Sequence, residues 1–299
     1  MRKTILSKKL IAAVGAVVLT VGSLAGCGAS GVSPSTEGAE STTANTVEES
    51  TSVSEEEVLI TIGATPTPHA EVLNAALPIL AEKGIKLEII EFTDYIAPNN
   101  AVDGGDLDAN FFQHGPYLEN FNAENGTNLV AAGYTHYEPL GIYAGKSSDL
   151  ENILDGASIA VPNDPTNGAR ALLLLEANGI IKLREGVGLE ATKQDIAENP
   201  KNIDIVELEA AQVSRVIGEV DFVVLNGNYA LLAGLNVSED AIAKEEKDSD
   251  AAKTYANLVA VKEGRENEEA IKTLIEVLTG EEIKAFIEAT YEGAVLPIN

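Results

Sequence analysis

The sequence predicts an α/β body of two lobes with a cleft between them. Three observations lead there. From Val58 onward, short apolar runs of strand length alternate with longer segments of helical period. The helical segments stop at Gly or Asn, the residues that most easily take the left-handed backbone of a helix end. The eight strands found this way are short, which suits two small sheets better than one. Such alternation implies mostly parallel sheets covered by helices, whose ligands sit beyond the carboxyl ends of the strands.

Taken in chain order, the first element is not part of the body. Arg2, Lys3, Lys8 and Lys9 precede an apolar run from Leu10 to Val21, about a dozen residues and so short of the roughly 20 that a spanning helix needs. Residues 1–26 therefore read as an export signal. It ends in Leu24-Ala25-Gly26-Cys27, which resembles the lipobox of bacterial lipoproteins, with Cys27 the expected lipidated (palmitate-type) first residue. Residues 27–57 are rich in Ser, Thr, Gly, Ala and Glu, with seven Glu and no Lys or Arg. They cannot bury enough surface to offset ordering, and form an acidic tether with a reach of roughly 30 Å.

Within the body the expected strands are 59–64, 86–92, 109–112, 129–132, 158–161, 203–208, 222–225 and 258–261. The expected helices are 70–83, 117–125, 169–177, 212–218, 268–278 and 281–291, with stops at Gly84, Gly126, Asn178-Gly179 and Gly280. Lobe 1 is expected over 58–142 plus 230–299, and lobe 2 over 143–229.

Composition narrows function. The chain has 299 residues, with 20 Lys+Arg against 47 Asp+Glu and a formal charge of −27. That opposes contact with nucleic acid or an anionic membrane surface. One Cys excludes a disulfide framework and a multi-thiolate metal centre. Gly141-Ile-Tyr-Ala-Gly145-Lys146-Ser147 is one residue short of a phosphate loop, and Gly186-x-Gly188-x-x-Ala191 follows no buried strand. His69, His114 and His136 share no i, i+4 spacing, so no metal site and no cofactor is expected.

Three segments place ring or amide side chains where a strand hands over to a helix: residues 108–117, 162–170 and 225–229. The crevice rule turns all three toward one cleft. Arg170 stands out. Read in the first turn of a helix that starts at Ala169, it has Thr166, Asn167, Leu173 and Leu174 as its i±3 and i±4 neighbours, and so no local carboxylate. Two readings stay open for it, a salt bridge to a distant acid or bidentate capture of a ligand carboxylate. Phe111 and Phe112 fall on opposite faces of a strand, one toward the core and one toward the cleft.

The stretches Phe92-Thr93-Asp94-Tyr95, Asp108-Ala109-Asn110-Phe111-Phe112-Gln113-His114-Gly115-Pro116-Tyr117-Leu118, Pro162-Asn163-Asp164-Pro165-Thr166-Asn167-Gly168-Ala169-Arg170-Ala171-Leu172 and Asn226-Gly227-Asn228-Tyr229-Ala230 resemble the methionine-binding lipoproteins, the substrate-binding components of methionine ABC importers. The resemblance covers essentially the whole body. It implies a type II periplasmic-binding-protein fold with two strands linking the lobes. It also implies that Arg170, beside Asn167, binds the ligand carboxylate. Asn226 and Asn228 would hold the amino-acid head group, and Tyr95, Phe112, His114 and Tyr117 would line the side-chain pocket. The implied protein is not an enzyme. It is lipid-anchored on the extracytoplasmic face of a cell membrane, binds L- or D-methionine or a close analogue, and delivers it to the transmembrane subunits of a permease. Three other readings remain open: a ligand that is a methionine-containing dipeptide or another small apolar amino acid, a surface hydrolase using His114, and a structural or adhesive lipoprotein with no small ligand.

Overall fold

In the computed structural model, which describes residues 57–246 and 253–298, the chain builds most of one sheet, leaves it for a second, and returns to the first. The expected signal peptide, Cys27 and all but the last residue of the tether lie outside the described residues. Among the described residues, no helix is long and apolar enough to cross a membrane.

β1 (Val58–Ala64), β2 (Ile85–Glu91) and β3 (Ala109–His114) pair in parallel with β1 in the middle. Ile60, Ile62, Ala64, Ala109 and Phe111 are all buried, the pattern of strands covered on both faces. α1 (Glu71–Glu82) packs Val72, Leu73, Ala76 and Leu80 onto that core. α2 (Ala97–Gly104) follows β2; its start at Ala97-Pro98-Asn99-Asn100 carries no apolar repeat, so periodicity missed it. α3 (Gly115–Asn125) is capped by His114, whose Nδ1 accepts the Tyr117 N–H at 3.2 Å, and stops at Gly126 with φ 67°. β4 (Leu129–Tyr137) ends this first passage.

Residues 138–140 then cross to the second sheet. β5 (Gly141–Ala144) and β6 (Ser158–Pro162) come first, followed by α4 (Pro165–Ala177), which packs Ala171, Leu172 and Leu175 into the second core. A small ribbon of β7 (Lys182–Leu183) and β8 (Ile196–Glu198) leads to β9 (Asp204–Leu208), α5 (Ala210–Val213), β10 (Phe222–Leu225), α6 (Gly227–Leu232) and β11 (Ala241–Lys244). The sheet order is β11-β5-β10-β6-β9, parallel through β9, β6 and β10 and antiparallel at β5 and β11. The return places β12 (Ala256–Lys262) antiparallel between β3 and β4. α7 (Glu269–Leu278) and α8 (Glu281–Tyr291) then cover the first sheet, and β13 (Leu296–Pro297) closes its edge.

The two-sheet α/β architecture is the expected one. Three details differ. β11 belongs to the second sheet, so the chain returns to the first after Lys244 rather than at residue 230, and β5 starts the second sheet at Gly141 rather than 143. Gly141–Ala144, the near-match to a phosphate loop, is a strand. The third difference bears on the site. α4 begins at Pro165, not Ala169, because the Asp164 carboxylate caps it by accepting the Asn167 N–H at 2.9 Å, and Pro165 sits where a missing N–H costs nothing. Arg170 is therefore in the second turn, on the same face as Asn167 three residues earlier.

Candidate functional site

All eight residues singled out from the sequence, Tyr95, Phe112, His114, Tyr117, Asn167, Arg170, Asn226 and Asn228, line one cleft. The three strand-to-helix turns converge there as the crevice rule requires. Gln113, Glu138, Gly227 and Asn257 complete the wall. Gln113 and Gly227 lie in two of the three turns singled out from the sequence, whereas Glu138, on the crossover between sheets, and Asn257, on the returning strand β12, carried no local signal.

Phe111 and Phe112 divide as their strand positions demand. Phe111 is in the core against the ring of His69 at 4.6 Å, whereas Phe112 joins an aromatic wall with Tyr95 at 5.5 Å and Tyr117 at 6.1 Å. Tyr229, not expected at the site, stacks behind Tyr95 at 5.0 Å. Tyr95 Oη donates to Asn228 Oδ1 at 2.5 Å, and Tyr117 Oη donates to the Tyr95 carbonyl at 3.1 Å. The rings are thus fixed by polar contacts at their tips and packed along their faces.

The amide cluster is nearly complete in itself. Asn167 Nδ2 donates to both oxygens of Asp164, and its Oδ1 accepts from Asn226 Nδ2 at 2.8 Å and His114 Nε2 at 3.1 Å. With Nδ1 accepting from Tyr117, His114 is a neutral imidazole carrying its proton on Nε2. Both of its nitrogens are spent on positioning Asn167 and starting α3. One atom is left over. Asn226 Oδ1 is buried and has no partner among the described residues, although Asn226 is the N-cap of α6, where that oxygen would ordinarily bond a backbone N–H.

Of the two readings left open for Arg170, the salt bridge to a distant acid is present: Nε donates to Glu245 Oε1 at 2.8 Å and Nη2 to Glu245 Oε2 at 2.6 Å, a fork between a buried guanidinium and a largely buried carboxylate. Nη2 also donates to the Glu138 carbonyl at 2.8 Å. Glu245 Oε2 further accepts from Tyr137 Oη at 2.6 Å and the Leu140 N–H at 2.8 Å. The pair joins α4 to both crossovers, since Glu245 immediately follows β11 and Leu140 precedes β5. Burial opposes both charges, but each outweighs it for the other: the guanidinium holds the Glu245 carboxyl below its ordinary range, and the carboxylate raises the guanidinium. The Tyr255 ring lies 4.3 Å from the guanidinium carbon. Nη1 takes no part in these bonds.

A second cluster lies beneath the cleft. His69, His136 and Glu138 bring their ligating atoms within 4.8 Å of one another, although sequence spacing separates the histidines. Those atoms are already engaged: His136 Nε2 bonds Glu138 Oε1 at 2.9 Å, and His69 Nε2 bonds Asn257 Oδ1 at 3.1 Å. The trio stands as a hydrogen-bond network that fixes Glu138.

Burial pushes His69 and His114 down to about 4, against the pull of the Glu138 carboxylate at His69 and with the help of the Arg170 charge at His114. Between the ordinary imidazole pKa of roughly 6.5 and that value, the unfolded chain takes up protons that the folded chain refuses. Stability is therefore full above about pH 6.5 and falls as pH drops toward 4, by up to about 3 kcal/mol per imidazole. Glu138 and Glu245, whose pKa values are lowered, add their losses only below the ordinary carboxylate range. Urea unfolding at pH 7.5, 5.5 and 4.5 tests this; a flat profile would mean that both rings can charge in the folded state.

The sequence model of the NlpA lipoprotein family matches residues 60–299. The D-methionine-binding lipoprotein MetQ of Escherichia coli is 38% identical over 240 residues, 79% of this chain and 87% of that protein. A lipoprotein structure from Ruminococcus gnavus superposes with a TM-score of 0.80 at 58% identity, covering 81% of this chain and 99% of that one. A nutrient-binding protein from Burkholderia cenocepacia, solved bound to methionine, gives a TM-score of 0.76 at 43% identity over 80% of this chain and 100% of that one.

Proposed function

The chain belongs to the NlpA lipoprotein family, and from that premise we propose that it is the methionine-binding component of an ABC importer. It acts as a receptor and not as an enzyme. Cys27 carries its lipid and the body works on the extracytoplasmic face of the cell membrane.

The observation that carries this reading is the unpartnered Asn226 Oδ1 in a cleft that also holds Arg170. A buried acceptor without a donor is costly, and an α-ammonium group supplies the missing donor. The free Nη1 edge of Arg170, with the Asn228 amide nitrogen, which no bond uses among the described residues, then takes the α-carboxylate. The rings of Tyr95, Phe112 and Tyr117 take the thioether, which is polarizable and gains from aromatic contact. Asn167 and His114, saturated by their own bonds, hold Asn226 and the guanidinium in place rather than touching ligand. Ligand bridging both lobes stabilises the closed arrangement, and the permease recognises that arrangement preferentially.

Calorimetry of the ligand-stripped body, residues 58–299, against L-methionine, D-methionine, Gly-Met and leucine tests the proposal. Tight binding of a methionine enantiomer, with weak binding of Gly-Met and leucine, is the expected result. A preference for Gly-Met would move the ligand to dipeptides, and no amino-acid binding at all would end the reading.

A further inference from the structure

Glu138 is a buried carboxylate to which the account above gives no role toward the ligand. It lies on the first crossover, between β4 and β5, 5% exposed, and lines the cleft. Its two oxygens have different surroundings. Oε1 is held by His136 Nε2 at 2.9 Å and His69 Nε2 at 3.3 Å. Those rings are themselves fixed, His69 by Thr65 Oγ1 at 2.6 Å and His136 by Thr135 Oγ1 at 3.0 Å. Among the described residues, no hydrogen bond reaches Oε2. Gly227 gives it room: a Cβ there would stand 2.7 Å from Oε2 and 2.7 Å from the Glu138 Cβ. Gly227 follows Asn226, so a second oxygen without a donor, Asn226 Oδ1, belongs to the next residue along the same wall.

We propose that Glu138 Oε2 receives the ligand's α-ammonium group together with Asn226 Oδ1, and that this carboxylate makes the cleft select amino acids over the matching hydroxy acids. The proposal rests on the reading of the ligand as an amino acid. Burial alone would raise the Glu138 carboxyl, but the two imidazoles and the Arg170 charge outweigh it and keep it ionised at neutral pH. Arg170 does not satisfy that charge directly, because its contact with Glu138 is to the carbonyl and its fork faces Glu245. An ammonium carries three donors and a positive charge, and here it meets one anionic and one neutral acceptor. A hydroxyl in its place brings one donor and no charge, leaving one acceptor still unpartnered. Such a site discriminates strongly, since the rejected analogue leaves buried polar atoms unpaired.

The test compares L-methionine with 2-hydroxy-4-(methylthio)butanoate, its hydroxy acid, by calorimetry on the wild-type body and on Glu138→Gln. The wild type is expected to bind methionine at least tenfold more tightly than the hydroxy acid. Glu138→Gln is expected to weaken methionine at least tenfold while leaving the hydroxy acid nearly unchanged, so that the preference closes. Equal wild-type affinities overturn the proposal without any variant. So does a Glu138→Gln protein that keeps the preference or weakens both ligands alike, which would make the residue a positioning group only. If Glu138→Gln fails to fold, Gly227→Ala, which crowds Oε2, is expected to narrow the same preference, and an unchanged preference there counts against the proposal. Binding of leucine in place of methionine would sink the methionine reading alone, and leucine against its own hydroxy acid then decides the role of Glu138.

Discussion

Replacing Glu245 by alanine should lower the unfolding free energy by about 3–5 kcal/mol, the cost of leaving a buried charge without its partner. Arg170 and Glu245 are 4% and 9% exposed at their side chains, and the guanidinium that remains could not reach water to recover. The carboxylate also accepts from Tyr137 and from the Leu140 N–H, so the same change leaves the first crossover without an acceptor. Arg170→Ala would be as damaging to stability and would mix that loss with any loss of ligand contact. The double variant Arg170→Met with Glu245→Leu separates the two. Removing both charges in favour of apolar side chains of similar volume restores most of the stability, yet deletes the donor edge offered to the ligand carboxylate. The expected result is a protein that unfolds at nearly wild-type urea concentration and binds methionine at least tenfold more weakly. Undiminished affinity in that double variant would show that the carboxylate is held elsewhere.

Asn226→Ala gives the complementary outcome, a loss of affinity with little loss of stability. Among the described residues its Oδ1 makes no bond, and its Nδ2 makes one, to Asn167 Oδ1, which His114 also serves. Truncation therefore removes one internal hydrogen bond, about 1 kcal/mol, and also removes a buried acceptor that had no partner. Contact with a ligand ammonium is worth more, about 1.5–3 kcal/mol for a charged hydrogen bond, which is tenfold or greater in dissociation constant. Titration calorimetry and urea unfolding on one preparation check both halves. Wild-type affinity in Asn226→Ala would remove this oxygen from the binding account. Asn167→Ala should show the reverse order, with stability falling first, because Asn226, His114 and Asp164 all lose a partner.

Much of this was legible along the chain, and the legible part is local. The helix stops at Gly84 and Gly126 follow from backbone preference within one turn. The opposite fates of Phe111 and Phe112 follow from the two-residue period of a strand. The three strand-to-helix turns, and with them seven of the eight cleft-lining residues, follow from the rule that such turns gather at the carboxyl ends of parallel strands; Tyr95 lies outside those turns and entered through the family resemblance. Where the reading failed locally, a competing local signal had been undervalued. Pro165 and Gly168 made residues 162–168 look like a turn, while Asp164 was already the cap of a helix beginning at Pro165.

The sequence by itself determined the strand and helix alternation, the turns that carry the cleft-lining side chains, and the strongly acidic composition of the body. Only the tertiary structure decided how charge is distributed in the cleft. Glu245 is 75 residues from Arg170, and His69 and His136 meet over Glu138 although no helical spacing relates them. These pairings depend on the order of strands in two sheets and on where two crossovers pass. An ion pair or a histidine network leaves no periodic mark on the chain, because its partners are brought together by the path of the backbone and not by their distance along it.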